Sequence, residues 1–383
     1  MSRLSTLGND LHTGRRSFPI VQRYRTWLLA AAVLVLVSVL LVAVKGLNAG
    51  IEFRGGSQFT VTGTSTLEVE PAREVVDTVG EGEAARVTTV GAESVRVQTQ
   101  ELTAEETTAV REGLAEAYDV PVEDVTSSFV GPTWGQDITR QAVQGLVIFL
   151  LLVSAVLSLY FRSWRMAASA MVALLNDLVL TVGVYALVGW EVTPATVIGL
   201  LTILGYSLYD TVVVFDKIRE NTQGLDEQDD RTYSEAANLA VNQTLVRSIN
   251  TSLTSILPVG SILFVGALLL GAGTLRDIAL ALFVGMIVST LSSVFVAAPL
   301  QAALQERDAR TRAHTAAVLE RRAARAARGD GAGTGARTGR GTSARTAPAA
   351  STATAEPDAA EEAVVPGRHQ GRAAQPRRKK TRR

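Results

Sequence analysis

The chain has 383 residues, 47% of them hydrophobic, and its 37 basic and 37 acidic side chains cancel. It lacks cysteine, which excludes disulfides, thiolate metal sites and thiol catalysis, and its three histidines, His12, His314 and His369, all sit in terminal segments. No Gly-rich loop ends in Gly-Lys-Ser or Gly-Lys-Thr, so there is no phosphate cradle for nucleotide-driven work; neither an enzyme site nor a cofactor is expected.

In chain order, residues 1–26 carry Arg15, Arg16, Arg23 and Arg25 ahead of an apolar run from Trp27 to Val44. A bilayer-crossing helix needs about 20 mostly apolar residues, so this run is long enough to span, and it is read as an uncleaved first helix (27–45) rather than a signal peptide. Five further runs qualify: 140–161, 166–188, 194–216, 249–271 and 275–300. The spacing predicts a polytopic α-helical membrane protein with six transmembrane helices. Arginines and lysines gather before the first span, between the second and third (Arg162, Arg165), after the fourth (Lys217, Arg219) and after the sixth. The positive-inside rule then puts both termini in the cytoplasm and residues 46–139 on the outer side.

That outer segment alternates two periodicities. Phe53 and Gln58 to Thr62 read as extended, Leu67 to Val79 as helix, Ala85 to Val90 and Ser94 to Thr99 as strands around Gly91-Ala92-Glu93, Thr103 to Ala117 as helix and Val122 to Val130 as strand. The order β-α-β-β-α-β predicts an α+β ferredoxin-like domain. Thr103 and Glu106 have the spacing of a capping box. Between Asn48 and Asp137 there are about 17 acidic against about 5 basic side chains, a solvated face or a docking surface for a basic or unfolded partner.

Inside the predicted spans, polar residues are costly and so informative. Asp210 lies among Ile, Leu, Val and Phe in the fourth span, with Gly199, Tyr206 and Ser207 gathered around it. In the fifth, Gln243, Arg247, Asn250, Thr251 and Thr254 share one helical stripe, expected to face inward. The third carries Asp177, a second buried carboxylate candidate for a proton relay, beside Asn176 on a line with Ser169, Ala173 and Thr181; the alternative is that Asn176 and Asp177 cap or bridge helices by hydrogen bonds. The ladder Gly285, Ser289, Ser293 and Ala297 in the sixth suggests close helix packing, with a proton path as the alternative. Counting about 1.5 Å per residue from the outer ends puts Asp210 about 24 Å deep, Thr254 about 26 Å and Arg247 about 36 Å. Thr251 and Thr254 are therefore the expected neighbours of Asp210. Burial disfavours a charged carboxylate and a nearby guanidinium favours it, so a carboxylate balanced between the two can load and release protons. Sodium held by Asp210, Ser207 and Thr254 is the alternative.

Residues 217–248 are expected to form a cytoplasmic loop and helix, with an acidic turn at Gly224 to Thr232, and 301–328 a cytoplasmic helix. Residues 329–383 read as a disordered basic tail closing on Arg377-Arg-Lys-Lys-Thr-Arg-Arg383, either plainly solvated or placed to meet anionic lipid or ribosomal RNA.

Five stretches carry a family resemblance: Gly50-Ile-Glu-Phe-Arg-Gly-Gly56, Val130-Gly-Pro-Thr-Trp-Gly135, Phe161-Arg-Ser-Trp-Arg165, Gly205-Tyr-Ser-Leu-Tyr-Asp-Thr-Val-Val-Val-Phe-Asp-Lys-Ile-Arg-Glu-Asn221 and Val241-Asn-Gln-Thr-Leu-Val-Arg-Ser-Ile-Asn-Thr-Ser252. In order and spacing they resemble the SecF subunits of the SecD/SecF protein-export family, kin to RND-type transporters. The resemblance implies a bacterial cytoplasmic-membrane protein that uses the proton motive force in late protein export. It implies a SecD-like partner, the Sec protein-conducting channel and the unfolded exported polypeptide as partners, and it makes Asp210 and Arg247 the proton-relay pair. Where relatives often have His-Asp in the third span, this chain has Asn176-Asp177, so Asn176 cannot titrate. A non-transporting scaffold of the channel or an insertase, and a small-molecule or lipid exporter of the RND type, are the alternative readings.

Overall fold

Among the described residues of the computed structural model, six helices are long and apolar enough to cross a membrane. The structure describes residues 10–11, 13–79, 85–90, 93–225, 230–269 and 273–334, and every contact below lies within the unit that ends at Arg328. The turn at Gly91-Ala92, most of the acidic turn after Leu225 and the tail from residue 335 lie outside the described residues.

Helix α1 (Tyr24–Lys45) leads through a short strand β1 (Asn48–Ala49) and a single turn α2 (Ile51–Arg54) into the α+β domain. There follow β2 (Gly56–Thr62), α3 (Glu70–Val79), β3 (Arg86–Thr89), β4 (Ser94–Thr99), α4 (Ala104–Ala117) and β5 (Val125–Val130). The sheet is antiparallel in the order β3-β4-β2-β5, the ferredoxin-like arrangement. Period-2 alternation explains its core: Phe59 and Val61 from β2, Val95 and Val97 from β4 and Val125 from β5 meet Val76, Val110 and Leu114 from the two helices.

Among the described residues that follow, the elements apart from β6 (Glu191–Val192) are helical, including α5 (Pro132–Phe161), α6 (Trp164–Val188), α7 (Pro194–Thr222), α8 (Tyr233–Ser261), α9 (Gly273–Ser292), α10 (Ala298–Glu306) and α11 (Ala309–Thr334). Proline begins α5 and α7, where its missing N–H is no loss. Gly189 closes α6 in the left-handed conformation that a glycine tolerates. Large apolar side chains stay exposed on α1 (Leu29, Leu36, Leu40) and α5 (Ile148, Leu151, Leu159), as lipid-facing helices require. Glycines permit close crossings inside the bundle: a Cβ on Gly199 would come 2.8 Å from that of Ala281, and one on Gly285 2.8 Å from Ile203.

Several local expectations change. Phe53 lies in the α2 turn rather than a strand, and residues 122–124 form a 3₁₀ turn before β5 begins. The predicted cytoplasmic helix at 301–328 is broken at Arg307–Asp308, between α10 and α11. Helix α8 starts at Tyr233, so the cytoplasmic helix and fifth span anticipated separately are one element. Unforeseen altogether is the parallel pair β1–β6, which ties the root of the α+β domain to the link between α6 and α7. Two-residue strands carry no periodic signal, so hydrophobic pattern could not reveal it.

Around that root the glycine motifs acquire a physical reason. Gly56 has φ +121°, and a Cβ there would overlap the carbonyl oxygen of Thr99. A Cβ on Gly135 would lie 2.8 Å from the carbonyl oxygen of Phe53, and one on Gly55 3.0 Å from Cα of Pro132. The two motifs are backbone against backbone. Gly56→Ala should therefore prevent β2 from seating between β4 and β5, read as loss of hydrogen-exchange protection in all three strands.

The capping box forms at Thr103, whose backbone N–H and hydroxyl both donate to Glu106 at 2.8 Å, while the Glu106 N–H donates back to the hydroxyl at 3.3 Å. These bonds hold the Glu106 carboxyl below the usual carboxylate range. The folded-state value is depressed, so this contribution is present above the ordinary carboxylate value and is lost as pH falls through the lowered one. Thr103→Ala should cost about 1 kcal/mol of helix stability. Hydrogen exchange across α4 reads the loss, and the gap from wild type should narrow in acid.

Candidate functional site

The polar centre of the bundle is assembled by α6, α7, α8 and α9. A capping box at Thr193, with Pro194 at the first helical position, starts α7. Further along the helix, Ser207 and Asp210, three apart, point the same way into the bundle, 2% and 5% exposed. Each carboxylate oxygen of Asp210 accepts one hydroxyl: Ser248 on α8 donates to Oδ1 at 2.8 Å and Ser293, just after α9, donates to Oδ2. On α6, Oδ2 of Asp177 accepts from Ser207 and Oδ1 from Nδ2 of Asn176, which also donates to Ser292 at 3.3 Å. Ser292 and Ser293 thus engage Asn176 and Asp210 respectively.

Ser293 can reach Asp210 where the helix is widened. Residues Ser293–Ala297 form a π turn, followed by Pro299 near the start of α10. A proline lacks an N–H and crowds the carbonyl four residues back, here that of Phe295, inside the widened turn. Such π segments frequently lie at functional sites.

Among the described residues, neither Asp210 nor Asp177 forms an ion pair. Arg247 is exposed on the opposite side of the helix pair, with Nη2 3.5 Å from the hydroxyl of Tyr209. The geometry is simple: Tyr209 and Asp210 are consecutive, as are Arg247 and Ser248, and consecutive helical residues diverge by about 100°. Asp210 and Ser248 turn inward, while Tyr209 and Arg247 turn outward.

The stripe on α8 therefore faces away from this chain's interior, contrary to expectation. Arg247, Asn250 and Thr254 are exposed and Thr251 half-buried. Thr254 is not a neighbour of Asp210, because its hydroxyl donates back to the carbonyls of Asn250 and Thr251. The Thr251 carbonyl instead accepts from Tyr206 at 3.2 Å. The oxygen set weighed for sodium is consequently not gathered, since Thr254 lies apart from Asp210 and Ser207. The depth estimate failed because it treated the helices as upright and said nothing of rotation about their axes.

Sequence reasoning passed over Ser248. The available signal was the stripe Thr244, Ser248 and Ser252, spaced four apart and buried throughout. Ser293 belongs to the ladder read first as close packing, which Gly285 against Ile203 fulfils, and second as a proton path. Ser248 has a second surface: with Phe18, Arg23, Trp27, Thr290 and Phe295 it lines a cavity of about 430 Å³, so Asp210 is one hydroxyl away from open space.

Six candidate spans among the described residues, an inserted ferredoxin-like domain and buried carboxylates held by neutral donors are the features of a multi-pass membrane subunit. Residues 110–307 match the family described as protein export membrane protein SecD/SecF, C-terminal, and residues 40–66 match the SecD/SecF GG motif. The chain is 43% identical over 370 residues to the protein translocase subunit SecF of Streptomyces coelicolor, covering 97% of this chain and 96% of that one. It is 44% identical to the SecF of Mycobacterium tuberculosis strain H37Rv over 322 residues, 82% and 72% of the two chains. The crystal structure of SecDF, a translocon-associated membrane protein from Thermus thermophilus, superposes with a TM-score of 0.68 at 33% identity, covering 76% of this chain and 39% of that longer one. The chain belongs to the SecD/SecF family.

Removing either serine hydroxyl leaves a buried carboxylate oxygen without its donor, a loss on the order of 1–3 kcal/mol. Ser248→Ala and Ser293→Ala should each lower the unfolding temperature of the chain in detergent. Thr254→Ala, removing only a hydroxyl bonded to its own helix, should leave that temperature nearly unchanged.

Proposed function

We propose that this chain is the SecF-type half of a proton-driven machine that promotes late steps of protein export across the bacterial cytoplasmic membrane. The observation that carries the reading is Asp210, buried and bound by two hydroxyls with no cation. A carboxylate placed inside a span and held by neutral donors is a functional-site candidate by default, and a proton-coupled cycle needs one. Asp177, linked to the same helix through Ser207, is a second carboxylate for the relay.

The outward stripe supports the need for a partner. Arg247, Asn250 and Thr254 toward lipid would be costly, so a SecD-like subunit covers them and completes the site with Arg247 in the relay. The relatives named SecDF are consistent with two such halves in one chain. The orientation follows the basic flanks: termini in the cytoplasm, the acidic α+β domain outside, positioned to hold the unfolded polypeptide emerging from the Sec channel. The basic tail, on the cytoplasmic side, would meet anionic lipid or the ribosome.

Asp210→Asn separates the readings because it keeps shape and hydrogen bonding while removing titration. In proteoliposomes containing the channel and partner, export stimulated by a proton gradient should fall to the level seen without one, while co-purification of the partner is unchanged. Unaltered gradient stimulation would sink the relay, and loss of partner assembly alone would favour a scaffold. Arg247→Lys should also impair the stimulation, because lysine keeps the charge but loses the planar fork.

A further inference from the structure

The α+β domain is acidic, yet most of its positive charge is concentrated in one place. Arg54, Arg73 and Arg86, three of the five basic residues between Asn48 and Asp137, line a cavity of about 750 Å³ together with Lys45, the last residue of α1. We propose that this cavity binds the phosphate of an anionic phospholipid headgroup.

Three observations support this assignment. First, no acidic side chain is among the described residues that line the cavity. Secondly, the cations find mostly neutral partners: Lys45 donates to the carbonyl of Leu187 at 2.8 Å, Arg54 to that of Leu47 at 3.3 Å and Arg86 to the side-chain oxygen of Asn48. Only Arg73 meets a carboxylate, Glu70 at 3.5 Å, in an exposed pair. A guanidinium carries five donors, so Arg54 and Arg86 each retain several for a second acceptor, and their fork geometry suits phosphate. Thirdly, Lys45 ends a helix that is long and apolar enough to span, so the cavity stands at the level of the lipid phosphates. Its volume is in the range of small-molecule sites of about 300–1,000 Å³. An acidic polypeptide would share the charge, but position at the end of the span favours lipid.

Neutralising two of these arginines removes the attraction without touching the polar centre of the bundle. The test is binding of short-chain phosphatidylglycerol, short-chain phosphatidylcholine, inorganic phosphate and an acidic peptide to the full chain in neutral detergent, read by thermophoresis. Phosphatidylglycerol should bind about tenfold or more tightly than phosphatidylcholine, on the scale of two arginines at an anionic surface. Arg54→Gln with Arg86→Gln should abolish the preference, and Arg54→Lys with Arg86→Lys should keep most of it. Should the glutamine pair fail to fold by gel filtration, Lys45→Gln with Arg73→Gln, both exposed side chains, should weaken the preference instead. Equal binding of the two lipids, or a preference untouched by the glutamine changes, overturns the proposal. So does phosphate alone binding as tightly as phosphatidylglycerol, which would indicate a free anion, or tighter binding of the peptide, which would indicate a polypeptide site.

Discussion

A carboxylate removed from water must find hydrogen bonds, and the interior of this bundle is arranged around that requirement at Asp210. Its two oxygens take hydroxyls from two different helical segments, Ser248 on α8 and Ser293 after α9, so one side chain on α7 fixes three segments relative to one another. Asp177 repeats the arrangement between α6 and α7 through Ser207, and Asn176 adds the bond to Ser292. Such close approach needs small residues elsewhere on the same helices. Gly199 against Ala281 and Gly285 against Ile203 provide it, and larger side chains at those positions would push α7 and α9 apart.

Serine has a particular consequence here. A hydroxyl can donate to an ionised carboxylate or accept from a protonated one simply by rotating, so a network of hydroxyls satisfies both protonation states without moving a helix. A guanidinium in the same position could only donate and would favour the ionised form. The outward rotation of Arg247 therefore leaves Asp210 with hydroxyl partners in place of a guanidinium.

Much of the architecture was legible because it rests on long, repetitive signals. Six apolar runs had to become helices, and the alternation from Gln58 to Thr62 and Ser94 to Thr99 had to place Phe59, Val61, Val95 and Val97 on one face. Capping at Thr103 was equally plain, since the residues that make it are neighbours in sequence. Illegible was anything set by rotation about a helix axis. On α8 two polar stripes run side by side, the larger Arg247, Asn250 and Thr254 and the smaller Thr244, Ser248 and Ser252. A polar stripe announces an apolar environment's exception but not which neighbour resolves it. Size misled, because a serine pair satisfies the carboxylate within this chain while the arginine stripe stays exposed.

The β1–β6 pair gives the intramembrane carboxylates a mechanical connection to the α+β domain. Glu191 stands between α6, which carries Asp177, and α7, which carries Asp210, and it is also a strand partner of Asn48 at the end of α1. Its carboxylate accepts from Arg96 at 2.8 Å and from Gln98, both on β4 of the sheet, and the pair is only 17% and 13% exposed. Breaking a partly buried pair of this kind is costly because it strands a desolvated charge, so the contact resists separation. Thr193 at the head of α7 adds a bond to Asp277, on α9, at 3.0 Å. A displacement of α6 against α7 at the ends joined by Glu191 would have to move the sheet through Glu191 or break these bonds. The α+β domain is thus coupled to the bundle at the joint between the two helices whose carboxylates share Ser207, and not merely tethered by its two chain ends.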